Sequence, residues 1–246
     1  MTINSKLTDF YTVIANSGKH VGTPIYATYP KQSASGKVIA TQHQYRNQIV
    51  HVTKMVKSTH QTWAKIDGKI SGWINYDGLD HDVRWFKGVP LICQRPELPT
   101  GCELVAATMM LQYATGKKLD KMKLVREMPR STNPNRGFVG SPYKTSGWCV
   151  YPGGLMSVVN QYTHDKAWNM TGCTITDIKK QIDRNHPVVI WMTDIDGFPT
   201  HALTVYGYDK HHLFLNDPWA NARIKRSLSF IRKRRSKDGM RTISYH

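Results

Sequence analysis

The segment Pro99-Thr-Gly-Cys102-Glu103 carries residues that could do nucleophilic chemistry. Pro99 and Gly101 force a turn, and the run from Glu103 to Thr115 (ELVAATMMLQYAT) follows it as a helix that is apolar on nearly every side. Thr100 and Glu103 fit the S/T-x-x-E capping box, so Thr100 is expected as N-cap and Glu103 as its reciprocal partner. Cys102 then falls in the first helical turn, where backbone N–H groups and the positive end of the helix dipole stabilise a thiolate. A buried structural cysteine is the competing reading. A nucleophilic thiol needs a base within hydrogen-bond reach and a third group to fix the base's tautomer. His201 opens the run HALTVYGYD, and Asp217 closes the next, LFLNDPW. If the hairpin loop is the three residues Asp209 to His211, Leu203 lies opposite Asp217 and His201 sits two residues along on the same sheet face. The His201 and Asp217 side chains then meet diagonally. A four-residue loop would spoil that pairing.

The elements that must position these groups follow from periodicity. Helices are predicted at Glu103 to Thr115, around Gly154 to Tyr162, and at Thr176 to Arg184, where Ile178 and Ile182 fall at i,i+4. Strands are predicted at Pro187 to Met192, Ala202 to Tyr208, Leu213 to Asn216 and Arg241 to Tyr245. Helices first and an antiparallel sheet after is the α+β order. Upstream, TPIYATY, KVIA, QIVHVTKMVK, QTWAKI and ISGWIN are short runs rich in β-branched and aromatic residues, with the turn signals SASG and DGK among them. They read as five strands of a small barrel. The division expected is an N-terminal extension at 1–20, a small all-β module at 21–82 and a larger α+β domain at 86–246.

Lysine and arginine outnumber aspartate and glutamate 34 to 17 in 246 residues, a formal charge of +17, so an acidic polymer or anionic surface is the expected environment. The excess peaks in Arg223, Lys225, Arg226, Arg232, Lys233, Arg234, Arg235, Lys237 and Arg241, opposed there only by Asp238. A solvated helix or tail and an anion-binding surface are the two readings of that run. Nothing points to nucleic acid. Cys93, Cys102, Cys149 and Cys173 form neither a CxxC pair nor a disulfide framework, so the three other than Cys102 read as structural thiols. His211-His212 is a turn pair without further ligands, and no metal or organic cofactor is expected. No stretch of about 18 apolar residues exists, and Leu7 to Ala15 is too short and polar for a signal-peptide core.

Two resemblances sharpen this. The hairpin Trp63-Ala-Lys-Ile-Asp-Gly-Lys-Ile-Ser-Gly-Trp73-Ile, with its Gly72-Trp73 pair, resembles the SH3-like GW modules of Gram-positive surface proteins. Such modules hold anionic wall polymers, so the resemblance implies an extracellular or cell-wall location, a cytoplasmic one remaining open. LICQRPELPTGCELVAATMML resembles the active-site segment of C39-like cysteine peptidases, and NPNRGFVGSPYKTSGWCVYPGGL, ITDIKKQIDRNHPVVIWM and HALTVYGYDKHHLFLNDPW follow in that family's order. The resemblance implies a papain-like fold, a peptide or protein substrate, a catalytic triad of Cys102, His201 and Asp217, and Gln94 as donor to the oxyanion. The chain departs from the family at Tyr151-Pro-Gly-Gly154, where relatives tend to have prolines after the tyrosine, and Cys149 adds a second thiol nearby. This leaves substrate preference open. Two alternatives keep the sequence but change the activity: an idle wall-binding protein, and a transferase that passes the acyl group to an amine.

Overall fold

The computed structural model describes residues 9–16, 22–30, 36–59 and 61–246. Most of the SASG turn, and residues 1–8 and 17–20 of the expected extension, lie outside the described residues. The chain divides into two compact units, residues 1–87 and 88–246.

The first unit is a sheet of antiparallel strands β1 (Phe10–Val13), β2 (Pro24–Tyr26), β3 (Val38–Thr41), β4 (Ile49–Lys57), β5 (Thr62–Gly68), β6 (Gly72–Asn75) and β7 (Arg84–Trp85), in the order β3-β2-β6-β5-β4-β1-β7. Residues 10–13, left in the extension by the sequence reading, pair with β4, Phe10 facing Val52. The hairpin predicted around DGK is β5–β6, with Lys65 opposite Trp73 and Ile66 opposite Gly72. Its two tryptophans, Trp63 and Trp73, cluster with Tyr26, against which Tyr29 and Val56 pack. A Cβ on Gly72 would stand 2.6 Å from the Tyr26 carbonyl oxygen, so the residue before Trp73 must lack a side chain for β2 and β6 to approach.

The second unit is mixed α/β. Helices α1 (Cys102–Thr115), α2 (Lys121–Glu127), α3 (Pro152–Thr163), α4 (Ile175–Asp183) and α5 (Leu228–Lys237) surround strands β8 (Ala167–Asn169), β9 (Val188–Met192), β10 (His201–Tyr208), β11 (His212–Asp217), β12 (Ala222–Ser227) and β13 (Thr242–Tyr245). The strands pair antiparallel in the order β12-β11-β10-β9-β13-β8. Every residue of β9 and β10 is buried, which is why these runs show no polar alternation. Residues 102–111 of α1 are buried too, and the buried Thr204 hydroxyl on β10 donates to the Ala106 carbonyl of α1 at 2.9 Å.

The basic run divides by role. Arg232 and Lys233 are exposed, but Arg235, on the inner face of α5, is 2% exposed and donates to the Thr242 hydroxyl at 2.7 Å and to the carbonyls of Cys173 and Met240. Arg241 pairs with the buried Asp238 and lies over the Tyr151 ring at 3.6 Å. The run is therefore partly internal scaffolding.

Candidate active site

Cys102 is the first residue of α1. The N-cap is Gly101 with no side-chain cap, and the expected capping box does not form. The helix starts one residue later than a Thr100 cap requires. Thr100 turns outward and donates through Oγ1 to the carbonyls of Lys144 (3.0 Å) and Ser141 (3.4 Å), while Glu103 turns inward and accepts from the Val150 N–H at 3.3 Å. The segment carrying Ser141 to Cys149 is thereby fixed two residues ahead of the cysteine. A Cβ on Gly147 would fall 2.2 Å from the Ser141 oxygen and 2.3 Å from Thr100 Oγ1. That segment exposes Tyr143 (43%) and Trp148 (54%).

His201 and Asp217 meet as the strand reading requires, by a different route. Tyr208 pairs with Leu213 rather than His212, so four residues intervene. That spacing alone would spoil the diagonal. A bulge between Val205 and Gly207 takes up one residue, and from there Val205 faces Leu215 and Thr204 faces Asn216. Continued by one step, this register sets Leu203 against Asp217. His201 Nε2 and Asp217 Oδ1 are 3.0 Å apart, both residues essentially fully buried. Asp217 Oδ1 also accepts from the backbone N–H groups of Trp219 (2.9 Å) and Ala220 (3.1 Å). Burial alone would raise the Asp217 carboxyl; the His201 bond and charge, a bond with Asp196 and the Ala220 N–H outweigh it and hold the group at about 2. A carboxylate so held accepts only, so Nε2 carries the shared proton. Nδ1 is left as an acceptor, buried and without a hydrogen-bond partner.

The backbone of Ala202, the residue that follows His201, is among the groups that act on the Cys102 thiol. Burial pushes the Cys102 thiol well up, the Glu103 charge adds to this, and the backbone bonds from Ala202 and Glu103 oppose it. A helix start alone does not make this thiol acidic, contrary to the simple dipole argument. Cys102 is 5% exposed, and desolvation disfavours a lone thiolate more than the helix end favours it.

Gln94 is fully buried, and its backbone N–H donates to the carbonyl of Pro218, next to Asp217. Its side-chain amide donates to the carbonyls of Leu98 (3.0 Å) and Pro99 (3.3 Å), leaving Oε1 buried and unpartnered. Lys121, bonded to the Cys93 carbonyl (2.6 Å) and Glu97 (2.8 Å), braces the same loop.

Three features were not legible as site residues in the sequence. Asp196 Oδ2 lies 3.7 Å from His201 Nε2. Phe198 stacks on the His201 ring at 5.4 Å and meets Trp219 edge-on at 4.9 Å, with Arg95 over Trp219. Glu103, 1% exposed, has a carboxyl raised to about 8, chiefly by burial. Of these, only the adjacency of Glu103 to Cys102 gave a signal, and it pointed to capping. Cys149 is also buried, its thiol raised to about 12 by burial and then by the Glu103 charge. Among the described residues, Asp196, His201 and Asp217 are the only group of three or more potential metal-binding side chains within 4.8 Å of one another. Asp217 Oδ1 already accepts three N–H bonds, which suits an ion-pair cluster better than a metal centre.

Comparison with known proteins finds matches in both parts of the chain. Residues 4–80 match the GW (Gly-Tryp) dipeptide domain. The chain is 28% identical over 153 residues to YvpB of Bacillus subtilis, an uncharacterised protein; the match covers 50% of this chain and 60% of that one, so this chain spans less than two thirds of its relative's length. A crystal structure assigned to a C39-like peptidase from Bacillus anthracis superposes with a TM-score of 0.62 at 31% identity, over 68% of this chain and 98% of that one. Residues 86–236 match the Peptidase_C39 like family, and with well over half of its length so matched the chain belongs to that family.

Proposed function

We propose that this chain is a cysteine peptidase in which Cys102 attacks an amide carbonyl, His201 acts as base and then acid, and Asp217 orients the histidine. The observation that carries the reading is the buried 3.0 Å His201–Asp217 pair between β10 and β11, with the backbone of Ala202, next to His201, among the groups acting on the Cys102 thiol. With Nε2 committed to Asp217, Nδ1 is the nitrogen left to take the thiol proton, and a buried acceptor without a partner is what such a transfer needs. The resulting thiolate is stabilised by the imidazolium it creates, which offsets the burial that raises the isolated thiol.

The tetrahedral oxygen is then met by the Cys102 backbone N–H and by Gln94, whose amide exchanges one of its carbonyl partners for the oxyanion. His201 returns the proton to the leaving amine, and water hydrolyses the thioester. Peptidase family membership and the geometry support a peptide or protein substrate. In the same reading residues 21–82 form an SH3-like module. With the exposed cations of β12 and α5, that module holds the enzyme on an anionic wall polymer at the cell surface, in keeping with the GW match. No helix among the described residues is long and apolar enough to cross a membrane.

The test is a peptide-library digest with wild type and Cys102→Ala. Cleavage abolished by the substitution supports the reading, and undiminished cleavage refutes it.

A further inference from the structure

We propose that Asp196 is a second carboxylate on the histidine, a positioning residue that holds the imidazolium of His201 and so sets the alkaline limit of Cys102 reactivity. The assignment rests on the cysteine–histidine reading above. Asp196 Oδ2 approaches the same Nε2 atom that Asp217 Oδ1 binds, at 3.7 Å against 3.0 Å.

The loop from Thr193 to Thr200 is built to keep it there. Asp194 is paired to Arg234 of α5 at 2.5 Å and to Lys237 at 4.0 Å, and the Thr193 hydroxyl donates to the Arg234 carbonyl. The loop then turns through Asp194, Asp196 and Gly197, all at positive φ, a conformation that aspartate tolerates better than most residues. It is closed by the Phe198 N–H on the Ile195 carbonyl at 2.8 Å. Phe198 lies nearly parallel to the imidazole, with 15° between the planes. One short loop therefore grips His201 by its face with Phe198 and by its edge with Asp196.

The two carboxylates differ in kind. Asp217 is buried and tied by backbone N–H groups, so its charge is permanent over the working range. Asp196 is more open, its side chain 31% exposed. Burial raises its carboxyl, the Asp217 bond and charge raise it further, and His201 and Arg226 pull the other way. The groups facing it are thus His201, Asp217 and Arg226. A thiolate–imidazolium pair survives only while the histidine keeps its proton; towards the alkaline limit Asp196 has given up the proton it shares with Asp217, and its negative charge on the Nε2 edge then makes the histidine proton harder to lose.

The experiment follows the His201 imidazole by NMR through a pH titration in Cys102→Ala protein, with and without Asp196→Asn. The pH dependence of iodoacetamide labelling at Cys102 is followed in the parent and in Asp196→Asn. The expected result is a His201 midpoint about one unit lower in Asp196→Asn, about a tenfold weaker hold on the proton. Asp196→Glu should restore it, and the alkaline limb of Cys102 labelling should move down in step. A His201 midpoint that moves less than about twofold in Asp196→Asn, with urea unfolding unchanged, overturns the proposal. If the midpoint falls but Cys102 labels no faster than Cys93 and Cys173, the coupling of Asp196 to His201 is supported and the cysteine–histidine reading is what fails.

Discussion

Glu103 makes the stability of this protein depend on pH in a way that one substitution should abolish. Its carboxyl is buried beside Cys102, accepts the Val150 N–H through Oε1, and leaves Oε2 buried without a hydrogen-bond partner. Burial raises it from 4.5 to about 8. An acid raised on folding keeps its proton in the native state and gives it up in the unfolded chain, so stability is complete below pH 4.5 and falls as pH rises towards 8. A rise of three and a half units at about 1.4 kcal/mol each places the full penalty at about 5 kcal/mol, of which about 3 is already incurred at pH 7. Glu103→Gln keeps the shape and the acceptor for Val150 but cannot ionise. Urea unfolding of both proteins at pH 4.5, 7 and 8.5 should show midpoints that nearly coincide at the lowest pH and diverge as pH rises, the variant being the more stable. Parallel midpoints across all three values would refute the reasoning, because the carboxyl would then ionise as freely in the fold as outside it.

Two further outcomes follow from buried groups. Gln94→Ala should lower kcat by about 10²-fold with little change in KM if the amide serves the oxyanion; a loss of stability with kcat intact would show that its bonds to the Leu98 and Pro99 carbonyls are its whole role. Arg235→Ala should cost about 3 kcal/mol in urea unfolding, from the space it vacates and the Thr242 hydroxyl and carbonyls it strands. Arg232→Ala, on the exposed face of the same helix, should stay within about 0.5 kcal/mol.

How far the site could be read from the sequence depends on whether local chemistry or tertiary packing decides each part. The burial of α1 followed from its composition, and β9, β10, β11 and β13 fell within a residue or two of the predicted runs, since long apolar runs leave little choice. The His201–Asp217 meeting was inferred from a three-residue loop. The chain instead uses a longer tip and a bulge at Tyr206, and pattern alone cannot distinguish these because both give the same sum of residues. The capping box failed because a Glu at that position can face inward as well as back along the helix, and only the packing of Val150 decides. β12 was not predicted, its ARIKRS run being too charged to signal a strand; it sits at the sheet edge, where charges are tolerated. Asp196 gave no signal, since its role depends on a loop folding back onto β10. Arg235 was hidden among eight like-charged neighbours, with nothing local to mark it as the inward one.

The packing of Gly147 against Thr100 decides which positions between Ser141 and Cys149 can change. A hydrogen is all that fits between the Ser141 oxygen and the threonine hydroxyl, so the mounting of this segment is fixed by sterics. Tyr143 and Trp148, on either side of that contact, project into solvent and touch no such constraint. The segment thus behaves as a fixed bracket with an interchangeable face: large replacements at 143 or 148 change its exposed surface without displacing the turn that carries Cys102, whereas even a methyl group at 147 would move that turn.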